Sequence, residues 1–257
     1  MSLLLDNKVI IVTGGGYGIG RGSCLEFAEE GAQVAIVDWN ESTGQDTLRL
    51  VKEVSREAIF VRADVSKLAD IQNAVAKTVQ SFNRIDALFS NAGVNCFKST
   101  LDTDEADWQR LVDINLKGSF FFAKVVAKEM IARGKGGSIL FTSSISGVSG
   151  EEDQVAYSAT KGGIIGMVSA MAKDLGRYNI RINCILPGNV DTAQFRSWMS
   201  TKFNHDKAIA EAVDNAILKR LGEPRDIGRA AAFLLSDKAD WITGISMPVD
   251  GGYLVRH

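Results

Sequence analysis

The sequence predicts a single α/β domain with a doubly wound parallel sheet. Three observations carry that expectation. Short β-branched apolar runs alternate with longer helical stretches along the 257 residues. The runs are apolar throughout instead of alternating with polar residues, the pattern of strands covered on both faces. The first run leads directly into a glycine cluster that opens a helix. In chain order the strand candidates are residues 9–12 (VIIV), 33–37, 59–62, 87–90, 138–142, 180–185 and 244–249, which makes a mainly seven-stranded sheet. Helical stretches between them imply right-handed crossover units. Residues 22–30 read as the first helix, stopped by Gly31. With only Pro187, Pro224 and Pro248 and no linker-like stretch, residues 1–257 read as one domain. Residues 191–219 break the rhythm, mixing Phe195, Trp198, Met199, Phe203 and Ile209 with charges. An insertion at the carboxyl end of a strand is where lids over binding crevices sit. A packed pair of surface helices is the alternative.

Composition narrows the class. Apolar residues are 46% and charged residues 23% of the chain, ordinary values for a globular protein. A chain of this length buries roughly 70–75% of its unfolded surface, enough for a core without staples. A net charge of −2 gives no electrostatic reason to expect nucleic acid or an anionic membrane as partner. Cys24, Cys96 and Cys184 are odd in number and irregular in spacing, so neither a disulfide framework nor a zinc site is expected, and a reducing cytoplasm is. His205 has no metal-ligand neighbourhood, and no metal is expected. No apolar run approaches the ~20 residues of a membrane span. The amino-terminal residues show no secretory-signal pattern.

The glycine cluster, residues 13–20 (TGGGYGIG), lies between a strand and a helix. Glycines there permit a tight turn and bring backbone N–H groups against a pyrophosphate, and the helix N-terminus adds partial positive charge. Asp38 ends the next apolar run, eighteen positions after Gly20. A carboxylate there accepts from both ribose hydroxyls of an adenosine and repels a 2′-phosphate. Neither Tyr17 nor Trp39 supplies a compensating cation. The cofactor expected is therefore NAD.

Tyr157 and Lys161 are four residues apart, so on a helix they share a face. An ordinary tyrosine, with a pKa near ~10, is a poor base at neutral pH. A nearby ammonium favours the phenolate and lowers that value. The phenol could then exchange a proton with a substrate hydroxyl while hydride moves to or from the same carbon.

Together these features resemble the short-chain dehydrogenase/reductase family over nearly the whole chain. The matching motifs are Thr13–Gly20 with its Thr-Gly-x-x-x-Gly-Ile-Gly spacing, Asp64-Val65, Asn91-Ala92-Gly93, Asn115, Ser144 thirteen residues before Tyr157, the Tyr157-x-x-x-Lys161 pair, and Pro187-Gly188 with Val190 and Thr192. The resemblance implies a Rossmann-like fold and a catalytic set of Asn115, Ser144, Tyr157 and Lys161, with Asn115 supporting a water that links Lys161 to solvent. It also implies cofactor contacts from Gly14, Tyr17, Gly18, Ile19, Gly20, Asp38, Trp39, Asp64, Val65, Asn91, Ala92, Gly93, Tyr157, Lys161, Pro187, Gly188, Val190 and Thr192. Substrate contacts are expected from Asn95, Ser144, Ser146, Gln154, Tyr157, Gly188, Phe195 and Trp198, with Ser143 a competitor to Ser144. Residues 151–154 (EEDQ) either border the substrate, disfavouring acidic ones, or form a solvated loop. Gly22 departs from the helix-favouring residue frequent there, at a cost of about 1 kcal/mol against alanine.

The function expected is NAD-dependent interconversion of a secondary alcohol (a sugar, polyol or cyclic alcohol) with its ketone or lactone. An NADPH-dependent carbonyl or acyl-carrier ketoreductase is the first alternative. A non-catalytic NAD-binding sensor or scaffold is the second. The resemblance further implies a homotetramer built on helices over about 104–133 and 154–178, where Gly162, Gly163, Gly166 and Ala170 permit close packing.

Overall fold

Each apolar run becomes a strand. In the computed structural model these are β1 (Val9–Thr13), β2 (Gln33–Asp38), β3 (Ala58–Arg62), β4 (Ala87–Ser90), β5 (Gly137–Thr142), β6 (Ile180–Pro187) and β7 (Ser246–Val249). The structure describes residues 3–54, 57–201 and 204–256; Phe203 of the expected lid lies outside them, as do Met1, Ser2 and His257. The helices are α1 (Gly18–Glu29), α2 (Glu41–Val54), α3 (Leu68–Phe82), α4 (Glu105–Leu111), α5 (Ser119–Arg133), α6 (Ser146–Ser149), α7 (Val155–Leu175), α8 (Ala193–Met199), α9 (His205–Asn215) and α10 (Pro224–Leu235).

All seven strands run parallel in the order β3-β2-β1-β4-β5-β6-β7. The chain winds outward from β1 to β3, returns to the other side of β1, and winds outward again to β7. A crevice therefore opens at the carboxyl ends of β1 and β4, where the winding reverses. Every residue of β1 is buried, because alternate side chains feed two separate cores. Ile10 and Val12 pack with Phe27 of α1 and Ile227 and Ala231 of α10. Ile11 packs with Ile71 of α3, Phe122 of α5 and Ile164 of α7 on the opposite face. Each such aliphatic side chain contributes about 1.5–3 kcal/mol when fully buried. Pro248 is tolerated because β7 is an edge strand, where a missing N–H leaves no ladder partner unpaired.

The amino end of the sheet is closed by one carboxylate. Asp86 accepts from the Val9 amide at 2.9 Å and from Arg84 Nε at 2.9 Å, and pairs with Arg133 at the end of α5. Burial pushes its carboxyl up, but the Val9 amide and the two guanidinium groups outweigh that and hold it below the usual carboxylate range.

Two elements differ from expectation. The first helix begins at Gly18, not at residue 22, because its glycines serve packing. A Cβ on Gly20 would lie 1.9 Å from the Gly14 carbonyl oxygen, and one on Gly22 would lie 2.5 Å from Cβ of Pro224. Gly22 thus lets α10 approach α1. The long helix expected over 104–133 is instead α4, a π-helical stretch (Val112–Gly118) and α5. π-helical insertions often occur at functional sites, and this one contains Asn115.

Gly22→Ala separates two opposed effects. The added methyl gains about 1 kcal/mol of helix propensity, whereas overpacking against Pro224 costs about 1–3 kcal/mol. Urea unfolding should show net destabilisation; a stabilised variant would mean that α10 shifts freely.

Candidate active site

A seam of hydrogen bonds crosses the carboxyl ends of the central strands. The hydroxyl of Thr13, last residue of β1, accepts from the amides of Asn91 at 3.0 Å and Ala92 at 3.1 Å. Asn91 Nδ2 donates back to the Thr13 carbonyl at 3.2 Å. Asn91 Oδ1 accepts from the Thr142 hydroxyl at 3.2 Å, and the Thr142 carbonyl accepts from Lys161 Nζ at 2.7 Å. β1, β4, β5 and α7 are thereby tied in sequence, and a buried lysine is held at the end of the seam.

Beside the seam lies a cleft of about 930 Å³ lined by Gly14, Tyr17, Gly18, Ile19, Asp38, Trp39, Asp64, Val65, Asn91, Ala92, Gly93, Tyr157, Lys161 and Thr192. Its size suits a dinucleotide. The N-cap residue of α1, Tyr17, makes no side-chain cap, so the first-turn amides are left for an anion. At the far end Asp38 is buried and already partnered: Oδ2 accepts from the Gly16 amide at 2.8 Å and Oδ1 from the Asn40 amide at 2.9 Å. The carboxylate therefore shapes the glycine loop, with lone pairs left for ribose hydroxyls. The chemistry of these donors and acceptors fits NAD(P).

A smaller cavity of about 120 Å³ adjoins the cleft and is lined by all eight expected substrate residues: Asn95, Ser144, Ser146, Gln154, Tyr157, Gly188, Phe195 and Trp198. Pro187, Gly188 and Val190, expected at the cofactor, line this smaller cavity instead, while Thr192 lines both. Gly20 lines neither and works from beneath the loop. Glu151 and Gln154 face the cavity, whereas Glu152 is exposed. The 151–154 segment is thus divided between cavity wall and exposed surface. Phe97 stacks on Trp198 with ring centroids 6.2 Å apart.

Tyr157 stands in the wall shared by the two cavities, with Ser144 on the smaller side and Lys161 on the larger. Ser143 is committed elsewhere, its hydroxyl donating to the Lys161 carbonyl at 2.8 Å. Asn115 is fully buried; Oδ1 accepts from the Val94 amide, and Nδ2 donates to the Val94 carbonyl and Thr160 hydroxyl. A Cβ on Gly93 would lie 3.4 Å from Asn115 Oδ1 and 3.5 Å from Lys161 Nζ, so both border one small space.

The electrostatics correct one expectation. Tyr157 is half-buried, yet packing about its phenol pushes the pKa up to about 12, eased by a hydrogen bond from Ser144. Lys161 Nζ lies 5.4 Å from the ring centroid and burial pushes its own pKa down to about 8, yet at neutral pH it stays mainly an ammonium, and burial of the phenol prevails over it. Desolvation of both groups outweighs their mutual effect.

Two residues that line the cleft were missed in the sequence. Arg62 lines the cleft at the end of β3, in register with Asp38. Its signal was there: a strand-end cation beside a strand-end carboxylate, recognisable only once β2 and β3 are paired. Thr142 links both cavities and ends β5, a crevice position by topology.

The fold, the crevice and the Tyr157–Lys161 pair define a dinucleotide-dependent oxidoreductase. A family model described as enoyl-(acyl carrier protein) reductase matches residues 14–254. The chain is 35% identical over 255 residues to an L-rhamnose 1-dehydrogenase (NAD(P)(+)) of Sphingomonas sp., covering 98% of each. It is 38% identical over 253 residues to a 3-oxoacyl-[acyl-carrier-protein] reductase of Chlamydia trachomatis, covering 98% of this chain and 99% of that protein. The crystal structure of levodione reductase superposes with a TM-score of 0.95 at 34% identity, covering 98% of this chain and all (100%) of that one. The chain belongs to the short-chain dehydrogenase/reductase family, as an NAD(P)-dependent oxidoreductase of alcohols and ketones.

The lysine shift has a signed consequence. Above about pH 8 the folded Lys161 is neutral while the unfolded one stays protonated up to 10.5. The unfolded state then binds more protons, so this residue's contribution to stability rises with pH across that window, by up to about 1.4 kcal/mol per unit. Subtracting the unfolding free energy of Lys161→Met from that of the native chain isolates the trend. A flat difference would mean that folding leaves the Lys161 pKa unshifted.

Proposed function

We infer that the chain oxidises a secondary alcohol, a sugar, polyol or cyclic alcohol, to its ketone or lactone, with NAD preferred to NADP. The observation that carries this is the position of Tyr157, which fronts both the large cleft and the small cavity, between Lys161 and Ser144. Gly14, the α1 N-terminus, Asp38 and Lys161 would hold the dinucleotide, with Asp64 and Val65 along its adenine end. When bound, the nicotinamide supplies the two-electron acceptor or donor. Ser144 orients the substrate oxygen by hydrogen bonding, and Tyr157 takes the hydroxyl proton in oxidation or returns it in reduction. Lys161 holds the nicotinamide ribose side, and Asn115 fixes the loop after β4 that borders Lys161.

NAD preference rests on the buried Asp38 carboxylate, which would face a 2′-phosphate with like charge. Arg62 favours a second reading, an NADPH-dependent acyl-carrier ketoreductase, because it places a cation in the same cleft. Its Nε already donates to the Trp39 carbonyl and its Nη1 faces Glu41 at 3.9 Å, so that charge is partly spent. Glu151 at the substrate cavity also suits an acidic carrier poorly.

Residues 191–219 supply Phe195 and Trp198 as one wall of the cavity, and we assign α8 and α9 the role of a lid on the single domain. Exposed Trp108 and Phe120 on α4 and α5, with open space over Gly166 on α7, support a homotetramer. Free Cys24, Cys96 and Cys184 support a cytoplasmic setting. No described helix is long and apolar enough to cross a membrane.

Tyr157→Phe should abolish turnover while NADH still quenches protein fluorescence on binding; retained turnover would remove Tyr157 from proton transfer. Oxidation should gain rate from about pH 7 to about pH 10 as the raised phenol is drawn toward its base form, with no such gain in reduction. Asp38→Ala should lower the NAD:NADP ratio of kcat/KM about tenfold, and because it also frees the Gly16 amide it should weaken both cofactors; an unchanged ratio would place selection elsewhere. Light scattering at micromolar concentration should report four subunits.

A further inference from the structure

The small cavity contains an amide relay whose direction is fixed. The Cys96 amide can only donate, and it donates to Asn95 Oδ1 at 2.7 Å. That sets the Asn95 side chain, whose Nδ2 then donates to Gln154 Oε1 at 2.7 Å. The Gln154 amide is set in turn: its oxygen is taken, so its NH2 group is the end left over. Among the described residues that NH2 group has no protein acceptor, and Gln154 is 4% exposed in the cavity wall. The relay is braced on both sides. Lys98 and Gln154 form a parallel bridge between the two loops, and Arg110 Nη2 donates to the Asn95 carbonyl at 3.3 Å. Gln154 directly precedes α7, and Tyr157, three residues on, lines the same cavity.

We propose that the Asn95–Gln154 relay is a specificity device: it presents a fixed hydrogen-bond donor beside Tyr157 and selects alcohols that carry an acceptor oxygen within two carbons of the reacting carbinol. A vicinal hydroxyl, an ether or ring oxygen, or a second carbonyl meets that demand. An unsubstituted alcohol leaves a nearly buried NH2 unpaired, which is the costly outcome for a site built to donate. Asn95 acts as a positioning residue, and Gln154 makes the contact. The inference rests on the secondary-alcohol reading above and adds the polarity of the substrate's second functional group.

The probes are shape-matched pairs: 2- and 3-methoxycyclohexanol, with an acceptor-only ether oxygen, against 2- and 3-ethylcyclohexanol, with a methylene in its place. The unaltered enzyme should prefer at least one methoxy member by about tenfold in kcat/KM, chiefly through KM. Gln154→Glu keeps an acceptor for Asn95 Nδ2 but removes the donor, so the preference should vanish. Asn95→Asp offers Gln154 only an acceptor; the glutamine should turn its NH2 inward and show its oxygen to the cavity, and the preference should vanish again with NADH binding and melting temperature retained. Equal use of methoxy and ethyl partners by the unaltered enzyme, or a preference that survives both substitutions, would overturn the relay alone. Failure to oxidise any member, or any sugar or polyol, with either dinucleotide would instead overturn the alcohol-dehydrogenase reading beneath it.

Discussion

The Thr13–Asn91 latch is the constraint on which the site depends. A crevice opens where the connections of β1 and β4 leave in opposite directions, and three hydrogen bonds between one threonine and the Asn91–Ala92 backbone and side chain hold β1 to β4 there. The cleft between the glycine loop and the loop after β4 inherits its width from that latch. Asn91 then passes the constraint through Thr142 to Lys161. The lysine ammonium is thus placed by the sheet, not merely by its own helix. Side-chain networks of this kind rigidify a site when every member is satisfied.

Burial shapes the chemistry as much as position does. A phenol raised to about 12 and an amine lowered to about 8 are both biased to their neutral forms by desolvation. The neutral phenol is the proton-donating form needed for reduction. In the opposite direction it must first lose a proton, and Ser144 is the neighbour that eases this loss in the structure. Asp38 carries a structural duty of its own, since its carboxylate anchors the Gly16 and Asn40 amides.

The five inner strands were legible because burial on both faces writes itself as uninterrupted apolar runs, whereas the edge strands β3 and β7 are only partly buried. Gly14–Gly20 and Tyr157–Lys161 were legible because their spacing is local. What escaped the sequence depends on contacts between distant segments. The π-helical turn at Asn115 arises where that residue bonds Val94, twenty-one positions away, and Gly118 packs on the Val65 carbonyl. Arg62 becomes a neighbour of Asp38 only through strand register. The direction of the Tyr157 shift depends on how much solvent the fold removes, which i, i+4 spacing does not encode. The polarity of Gln154 is decided by a backbone amide fifty-eight residues earlier, at Cys96.

The two rims of the sheet carry separate duties. Asp86 gathers β1, β4 and α5 at the amino rim with three partners, while Ser144, Tyr157 and Lys161 line the cavities at the opposite rim. A substitution in the 94–98, 151–154 or 191–219 segments therefore leaves the amino-rim anchor untouched. Drift in what the cavity accepts is uncoupled from the scaffold's cohesion, so one architecture can be retuned to new metabolites by rewriting a few loops.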